Sequence, residues 1–352
     1  MTDLAHELFK MPDGWGKVFK PAIHPSSASL PSCPRRFMYA VRLGWRFPEW
    51  SEALSIGKVF HSVMEQIYRG NSIEAAVQTT MEAASLLWNE RSQRLLMEAN
   101  VEDPPPSVLQ AVKANDARMA TERKAVAVGV ALASAFQERH PISDAWQIIE
   151  VEKTLVDKDR GIEGTLDAVI HTTSNDGVWI VDHKTTGGDP ADRAACASFD
   201  VQSELYRHLW SQEHDAPFGV IHNIVRKPAI RLKRNETVAE YVERVLADLD
   251  DKAMANPQRP PILQSYVAFT SPPLDQNGEL ISLLMPLAHE HTRRVSELSE
   301  WPRCGNAYAG CYSQTRLCPY MKLCQASPRR WYELLTNSGF EKKDPDDDRQ
   351  TN

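Results

Sequence analysis

Residues 177–184 (GVWIVDHK) place an acid and a lysine at the end of an apolar run. In a strand, side chains two apart share a face, which groups Val178, Ile180, Asp182 and Lys184. An acid and a lysine in that setting are expensive to bury without a purpose. The segment before it, 162–171 (IEGTLDAVIH), carries Asp167 just after Gly164, a residue that permits close backbone approach. Carboxylates from two paired strands can converge on a divalent cation. A lysine beside them can orient a water and offset charge developing on a phosphate. His61 lies off the apolar stripe of its own segment, in line with Glu65 and Tyr68. Gln202 and Tyr206 are four apart and share a helix face. By themselves these residues have plainer readings. A lone histidine on a helix is usually a hydrogen-bonded surface or core residue, and an Asp-x-Lys pair is often a solvated strand edge. The Val178-Trp179-Ile180-Val181 run argues instead for a central strand.

Several elements have to position these groups. Val59, Phe60, Val63, Met64 and Ile67 recur at helical spacing from Gly57 onward. Residues 72–100 and 108–139 read as two longer Ala- and Leu-rich helices, separated by Asp103-Pro104-Pro105-Pro106. Residues 146–156, 162–171 and 177–184 read as strands, the last two joined by the turn Ser174-Asn175-Asp176-Gly177. A helix from about Asp200 to Gln212, a strand over 218–227 and a helix over 237–254 follow. A further helix is expected over 278–298. The pattern predicts one α/β domain over 31–330, with a mixed central sheet flanked by helices and a helical insertion over 71–140. Residues 1–30 read as irregular. The segment 331–352 ends in an acidic tail without apolar residues from 341, expected to be disordered.

With these residues in place, the chain resembles the RecB-like branch of the PD-(D/E)XK nucleases. The resemblance is carried by Gly57-Lys-Val-Phe-His61, Gly164-Thr-Leu-Asp167, Asp182-His-Lys184 and Gln202-Ser-Glu-Leu-Tyr206, in that order. Cys33-Pro-Arg-Arg-Phe upstream and Cys318-Pro-Tyr-Met-Lys-Leu-Cys324 downstream are similar to its iron–sulfur subset. That subset includes CRISPR spacer-acquisition nucleases and phage exonucleases. The resemblance implies a restriction-endonuclease-like core. It implies His61, Asp167 and Asp182 as ligands of Mg²⁺ or Mn²⁺, with the His183 main-chain carbonyl as a fourth. It implies Lys184 as the catalytic lysine, and Gln202 and Tyr206 as a helix that supports the site and touches DNA. Glu150 or Glu152 is the candidate accessory acid. The chemistry would be metal-assisted hydrolysis of a phosphodiester.

The chain has six cysteines, and Cys304, Cys311, Cys318 and Cys324 cluster near its end. In a reducing compartment such clusters are more often metal ligands than disulfides. The resemblance implies that one cysteine before the core and three after it hold a [4Fe–4S] cluster. The expected set is Cys33, Cys311, Cys318 and Cys324, with Cys304 as the spare or in place of Cys311. Five residues separate Cys318 from Cys324, whereas six separate Cys311 from Cys318. A four-thiolate zinc site is the rival, although the short knuckles usual for zinc are missing. Cys196 reads as a free thiol.

The 352 residues carry 40 Lys and Arg against 47 Asp and Glu, a formal charge of −7. That balance argues against a general nucleic-acid coat protein but allows a local basic groove. Arg35, Arg36, Arg42, Arg46 and Lys58 form one basic segment, and Arg226, Lys227, Arg231, Lys233 and Arg234 another. Phe37, Tyr39 and Trp45 lie among the first group, where they could stack on unpaired bases or line a solvated face. No apolar run is long enough to cross a bilayer, and a cytoplasmic location without membrane partners is expected. No Gly-x4-Gly-Lys-Ser/Thr loop occurs, so no intrinsic ATPase motor is expected. The reading that follows is a metal-dependent DNA exonuclease in phage-type recombination or DNA-end processing, with DNA and a single-strand annealing protein as partners. A CRISPR spacer-acquisition nuclease and a catalytically silent DNA-binding subunit are the alternatives.

Overall fold

A computed structural model describes residues 34–46, 52–100, 106–255, 265–270 and 312–342, apart from isolated or paired positions within those ranges, together with Met11. The apolar stripe from Val59 to Ile67 lies along helix α1 (Glu52–Tyr68). Helices α2 (Ile73–Ala99) and α3 (Pro106–Arg139) follow. Strands β1 (Trp146–Asp157), β2 (Ile162–Thr172) and β3 (Gly177–Thr186) then form a meander. Helix α4 (Val201–Trp210) leads to β4 (Gly219–Arg226). Helix α5 (Val238–Ala255) leads to β5 (Ser265–Thr270).

The five strands make one mixed sheet in the order β1-β2-β3-β4-β5. Only β3 and β4 run parallel, the others antiparallel. A parallel neighbour needs a crossover, and here it contains α4. β3 is therefore central, and its DHK end sits inside the sheet. The alternation predicts a shared face for Val178, Ile180, Asp182 and Lys184. Accordingly, Ile180 packs in the α4-side core while Trp179 and Val181 join the opposite one. Of the five strands in this sheet, β5 is the one that the sequence reading passed over. Its run Ser-Tyr-Val-Ala-Phe-Thr carries the β-branched and aromatic residues of a strand but follows a proline-rich loop.

One face of the sheet is covered by α1, α3 and α5, through Phe60, Val63, Met64, Tyr241 and Val245. The other is covered by α4, through Leu205, Tyr206, Leu209 and Trp210. The region read as an insertion is in part built into the main core. The second half of α3 is built into the main core, with Ala125, Ala127, Ala131, Ala133 and Ala135 all fully buried. Its small residues let α1 and α3 approach closely. A Cβ at Gly129 would stand 2.6 Å from Val59 Cβ. The first half of α2 joins the same core through Ala76, Val77 and Met81, and further along the pair has its own polar tie. Arg91 donates to Asn115 and Glu122, and Arg118 donates to Glu122 as well.

A separate aromatic cluster joins the two ends of the described chain. Tyr39 and Trp45 stack at 5.4 Å between ring centres, and Trp331 meets both edge-on. Tyr320 Oη donates to the Trp45 carbonyl at 2.7 Å. Trp45 and Arg46 pair with Lys342 and Glu341, so ordered packing runs past residue 330. The complete burial of Tyr39 and Trp45 removes them from any role in base stacking. The side chain of Phe37, most of residues 1–30, the 278–298 helix and the tail beyond 342 lie outside the described residues. Among the described residues, no helix is long and apolar enough to cross a membrane.

The helix crossing yields a stability test. Gly129→Ala should gain about 1 kcal/mol of helix propensity but force Val59 aside. Cβ is the rigid root of that side chain, so the clash should win, with a net loss of about 1–2 kcal/mol. Urea denaturation measures the difference, and a more stable variant would contradict the close crossing.

Candidate active site

The site lies where the β2–β3 ladder stops. The last pair in register is Ala168 with Val181, and the next residues outward are Asp167 and Asp182. Beyond this point β3 continues by pairing with β4, through Thr186 with Arg226. β2 continues by pairing with β1, to Ile162 with Asp157. The two strands thus part like a fork, with one carboxylate on each prong. β2 also changes face here. Ala168 and Ile170 belong to the core under α1 and α3, whereas Leu166 and Ile162 belong to the core under α4. Strict alternation would have put all four on one side.

Each carboxylate is held by two partners. Asp167 Oδ1 faces His61 Nδ1 at 3.2 Å, and its Oδ2 accepts the His183 main-chain N–H at 2.7 Å. Asp182 Oδ1 accepts from Lys184 Nζ at 2.9 Å, and its Oδ2 faces His222 Nδ1 at 3.0 Å. Lys184 Nζ also donates to Gln202 Oε1 at 2.5 Å, and Gln202 Nε2 donates to Tyr206 Oη at 2.7 Å. Asp200 caps α4 by accepting from Gln202 N, which fixes the start of the helix beside Lys184. Gly57 sets the approach of α1. A Cβ there would stand 3.2 Å from Thr185 Oγ1, and one turn further on is His61.

The electrostatics follow from burial and pairing. Burial opposes ionisation of both aspartates, yet both are held below the ordinary carboxylate range. For Asp167 the opposing influence is His61, and for Asp182 it is Lys184 and His222. Burial also opposes a charged His61, but Asp167 outweighs it and raises the ring to about 9. The Glu152 carboxyl is pushed up to about 7 by burial, then by Asp167 and Glu65. Burial lowers His183 to about 4. Its imidazole is turned to the other face, with Nε2 3.1 Å from Tyr68 Oη and Nδ1 without a hydrogen-bond partner among the described residues. Any ligand that His183 offers to a cation at the fork is therefore its main chain, not its ring.

Thus His61, Asp167, Asp182, Lys184, Gln202 and Tyr206, read from segments far apart in sequence, converge on one place. Ligand atoms of His61, Glu152 and Asp167 lie within 4.8 Å of one another, a donor set of one nitrogen and two carboxylates that suits Mg²⁺ or Mn²⁺. Glu150 instead pairs with Lys153 at 3.3 Å, so of the two candidates for an accessory acid only Glu152 lies beside Asp167. The sequence reading missed His222. It sits in a strand whose other residues up to Val225 are all buried, directly in register with Asp182. An ionised carboxylate only accepts, so Nδ1 donates to Asp182, and Nε2 stands 2.9 Å from Ser203 Oγ. A histidine interrupting an apolar strand was the available signal. Asp182, Asp200 and His222 also bring ligand atoms within 4.8 Å. His222 and Asp182 are both buried there, and Ser203 holds the other ring nitrogen, so His222 braces the carboxylate.

Of the expected cluster ligands, Cys318 and Cys324 are half-buried against the aromatic cluster of the chain ends. Cys33, Cys304 and Cys311, like Cys196, lie outside the described residues.

A forked mixed sheet with an Asp, an Asp-x-Lys strand and a covering helix defines a restriction-endonuclease-like nuclease core. A family model described as the PD-(D/E)XK nuclease superfamily matches residues 26–325, and the chain belongs to that superfamily. Among solved structures it is similar to a phage related exonuclease from Haemophilus somnus 129PT. The identity is 15% over 58% of this chain and 94% of that one, with a TM-score of 0.31, too low to carry an argument. No curated protein matches the chain.

The His61–Asp167 pair predicts a pH signature. Its ring is raised from 6.5 to about 9, so the pair stabilises the metal-free fold fully below about 6.5 and the contribution is lost as pH rises through about 9. A cation needs the unprotonated ring, so metal affinity should run the opposite way and strengthen over that interval. At pH 8, between the values for Glu152 and His61, Mn²⁺ binding should release a proton from His61. Titration calorimetry in two buffers of different ionisation enthalpy detects it.

Proposed function

We propose that this chain is a divalent-metal-dependent DNA exonuclease of the RecB-like branch, stapled by a [4Fe–4S] cluster and acting in phage-type recombination or DNA-end processing. The observation that carries the reading is the fork, with Asp167 and Asp182 on its prongs and Lys184 bonded to Asp182. In the proposed site His61, Asp167, Asp182 and the His183 carbonyl hold Mg²⁺ or Mn²⁺, which when bound supplies an activated water and charge neutralisation at the phosphate. Lys184 orients the attacking water and offsets charge on the phosphoryl oxygens. Gln202 holds Lys184 in place, and Tyr206 holds Gln202. His222 fixes the second oxygen of Asp182, leaving its carboxylate one orientation. DNA enters over the exposed start of α1 at Lys58 and the ends of β3 and β4 at Arg226 and Lys227.

The proposed cluster ligands are Cys33, Cys311, Cys318 and Cys324. Support comes from the joined chain ends, since Arg35, two residues after Cys33, donates to the Cys324 carbonyl at 3.1 Å. A staple between these ends would close a loop of most of the chain. Loop-closure entropy grows with length, so the staple should stabilise the fold substantially. The remaining proposals are a single nuclease domain, a cytoplasmic location, and a single-strand annealing protein as partner.

Two measurements test this reading. Degradation of end-labelled DNA should require Mg²⁺ or Mn²⁺ and fall roughly 100- to 1000-fold or more in Lys184→Ala and Asp182→Ala. Wild-type binding of DNA without cleavage would favour a silent binding subunit, and cleavage by both variants at the wild-type rate would refute the site. Purified protein should be brown, with visible absorption lost on oxidation, and Cys324→Ala should lose stability and colour together. Zinc found in place of iron would overturn the cluster.

A further inference from the structure

Helix α2 uses only one of its faces inside the fold. Ile73, Val77, Met81, Ala84 and Trp88 pack against the main core, and further along Arg91 is tied to Asn115 and Glu122 of α3. Another face carries apolar residues that this packing leaves out. Of the seven large apolar side chains exposed among the described residues, four lie on this helix: Leu86, Leu87, Leu96 and Met97. Exposed apolar groups gathered in this way mark an interaction surface. Ala83, Leu87, Glu90, Arg94 and Met97 follow one another at steps of four, three, four and three, and all are exposed. That is the spacing of a coiled-coil seam. Leu86 borders the seam, and Leu96 lies off it.

The order of residues along the seam indicates what covers it. Two residues to either side of Ser92 stand an acid and a base, Glu90 and Arg94. Five residues to either side stand two apolar side chains, Leu87 and Met97. When two copies of one helix pair antiparallel about a twofold axis, residues equidistant from the axis face each other. An axis at Ser92 sets Glu90 against the partner's Arg94 and Leu87 against the partner's Met97, and by symmetry each contact occurs twice. A parallel pairing would set Glu90 against the partner's Glu90 and Arg94 against the partner's Arg94, like charges face to face. We propose that α2 is a self-association surface, on which a second copy of this chain docks antiparallel through Leu87, Glu90, Arg94 and Met97. The tie from Arg91 to α3 holds the helix from behind, so the seam is presented on a fixed support. The inference stands apart from the nuclease reading, because the seam shares no residue with the site.

Sedimentation equilibrium of the full-length protein over a concentration series tests it. Wild type should form a dimer. Glu90→Arg and Arg94→Glu each set like charges against each other in that dimer, so each alone should weaken it roughly tenfold or more. An equimolar mixture of the two variants should recover the wild-type dimer, because every contact across the mixed pair then joins opposite charges. Leu87→Asp, which leaves the charge pairs in place, should weaken the dimer as well. All of these positions are exposed, so the variants should melt at the wild-type temperature. A wild type that stays monomeric throughout the series would overturn the proposal. So would a dimer that both charge variants leave intact, or two weakened variants whose mixture fails to associate.

Discussion

Asp167 and Asp182 are like charges held side by side where water barely reaches, and much of the surrounding structure makes that tolerable. Each repels the other, and burial alone would drive both to the neutral form. They stay ionised because each oxygen has a positive or N–H partner: His61, the His183 amide, Lys184 and His222. Removing one of these leaves a buried charge uncompensated, which costs far more than a surface pair would. The charge is thus balanced by the protein's own groups, and a cation arriving at the fork would take over the role that His61 and Lys184 now fill.

That condition sets the architecture. Carboxylates on adjacent strands converge only if the ladder stops between them, and the sheet does stop there, each strand carried on by its other neighbour. His61 must come from a helix lying close over the fork. The approach is set by Gly57 against Thr185 and by Gly129 against Val59. Lys184 must be held from the opposite layer, and the Asp200 cap starts α4 where Gln202 can reach it. Substitutions at these glycines and at the cap should therefore act on the site through geometry, without touching the reacting groups.

Most of this was legible in the sequence because the site uses strand alternation and helix periodicity in ordinary ways. Asp182 and Lys184 share a face by the period of two, and Gln202 and Tyr206 by the helical turn. What escaped was non-local or irregular. His222 matters only through its parallel register with Asp182, and register across a crossover is not written in either strand. The left-handed conformation of Glu152 runs against its residue type, so no local propensity announces it. Tyr39 and Trp45 looked like stacking platforms because they stand among arginines. They are interior because Tyr320, Trp331 and Phe340 arrive from the far end of the chain. The Ala-rich half of α3 read as part of an insertion. Small residues at close spacing are equally the mark of a tightly crossed core helix, which it is.

The fork is proposed as a divalent-cation site. Anomalous diffraction from crystals soaked in Mn²⁺ tests it most directly. A manganese peak is expected between Asp167 and Asp182, within bonding distance of His61 and the His183 carbonyl. Lys184 should be shifted off the Asp182 oxygen it now holds. A peak confined to Asp200 and His222, or a fork without manganese and with Lys184 still on Asp182, would contradict it.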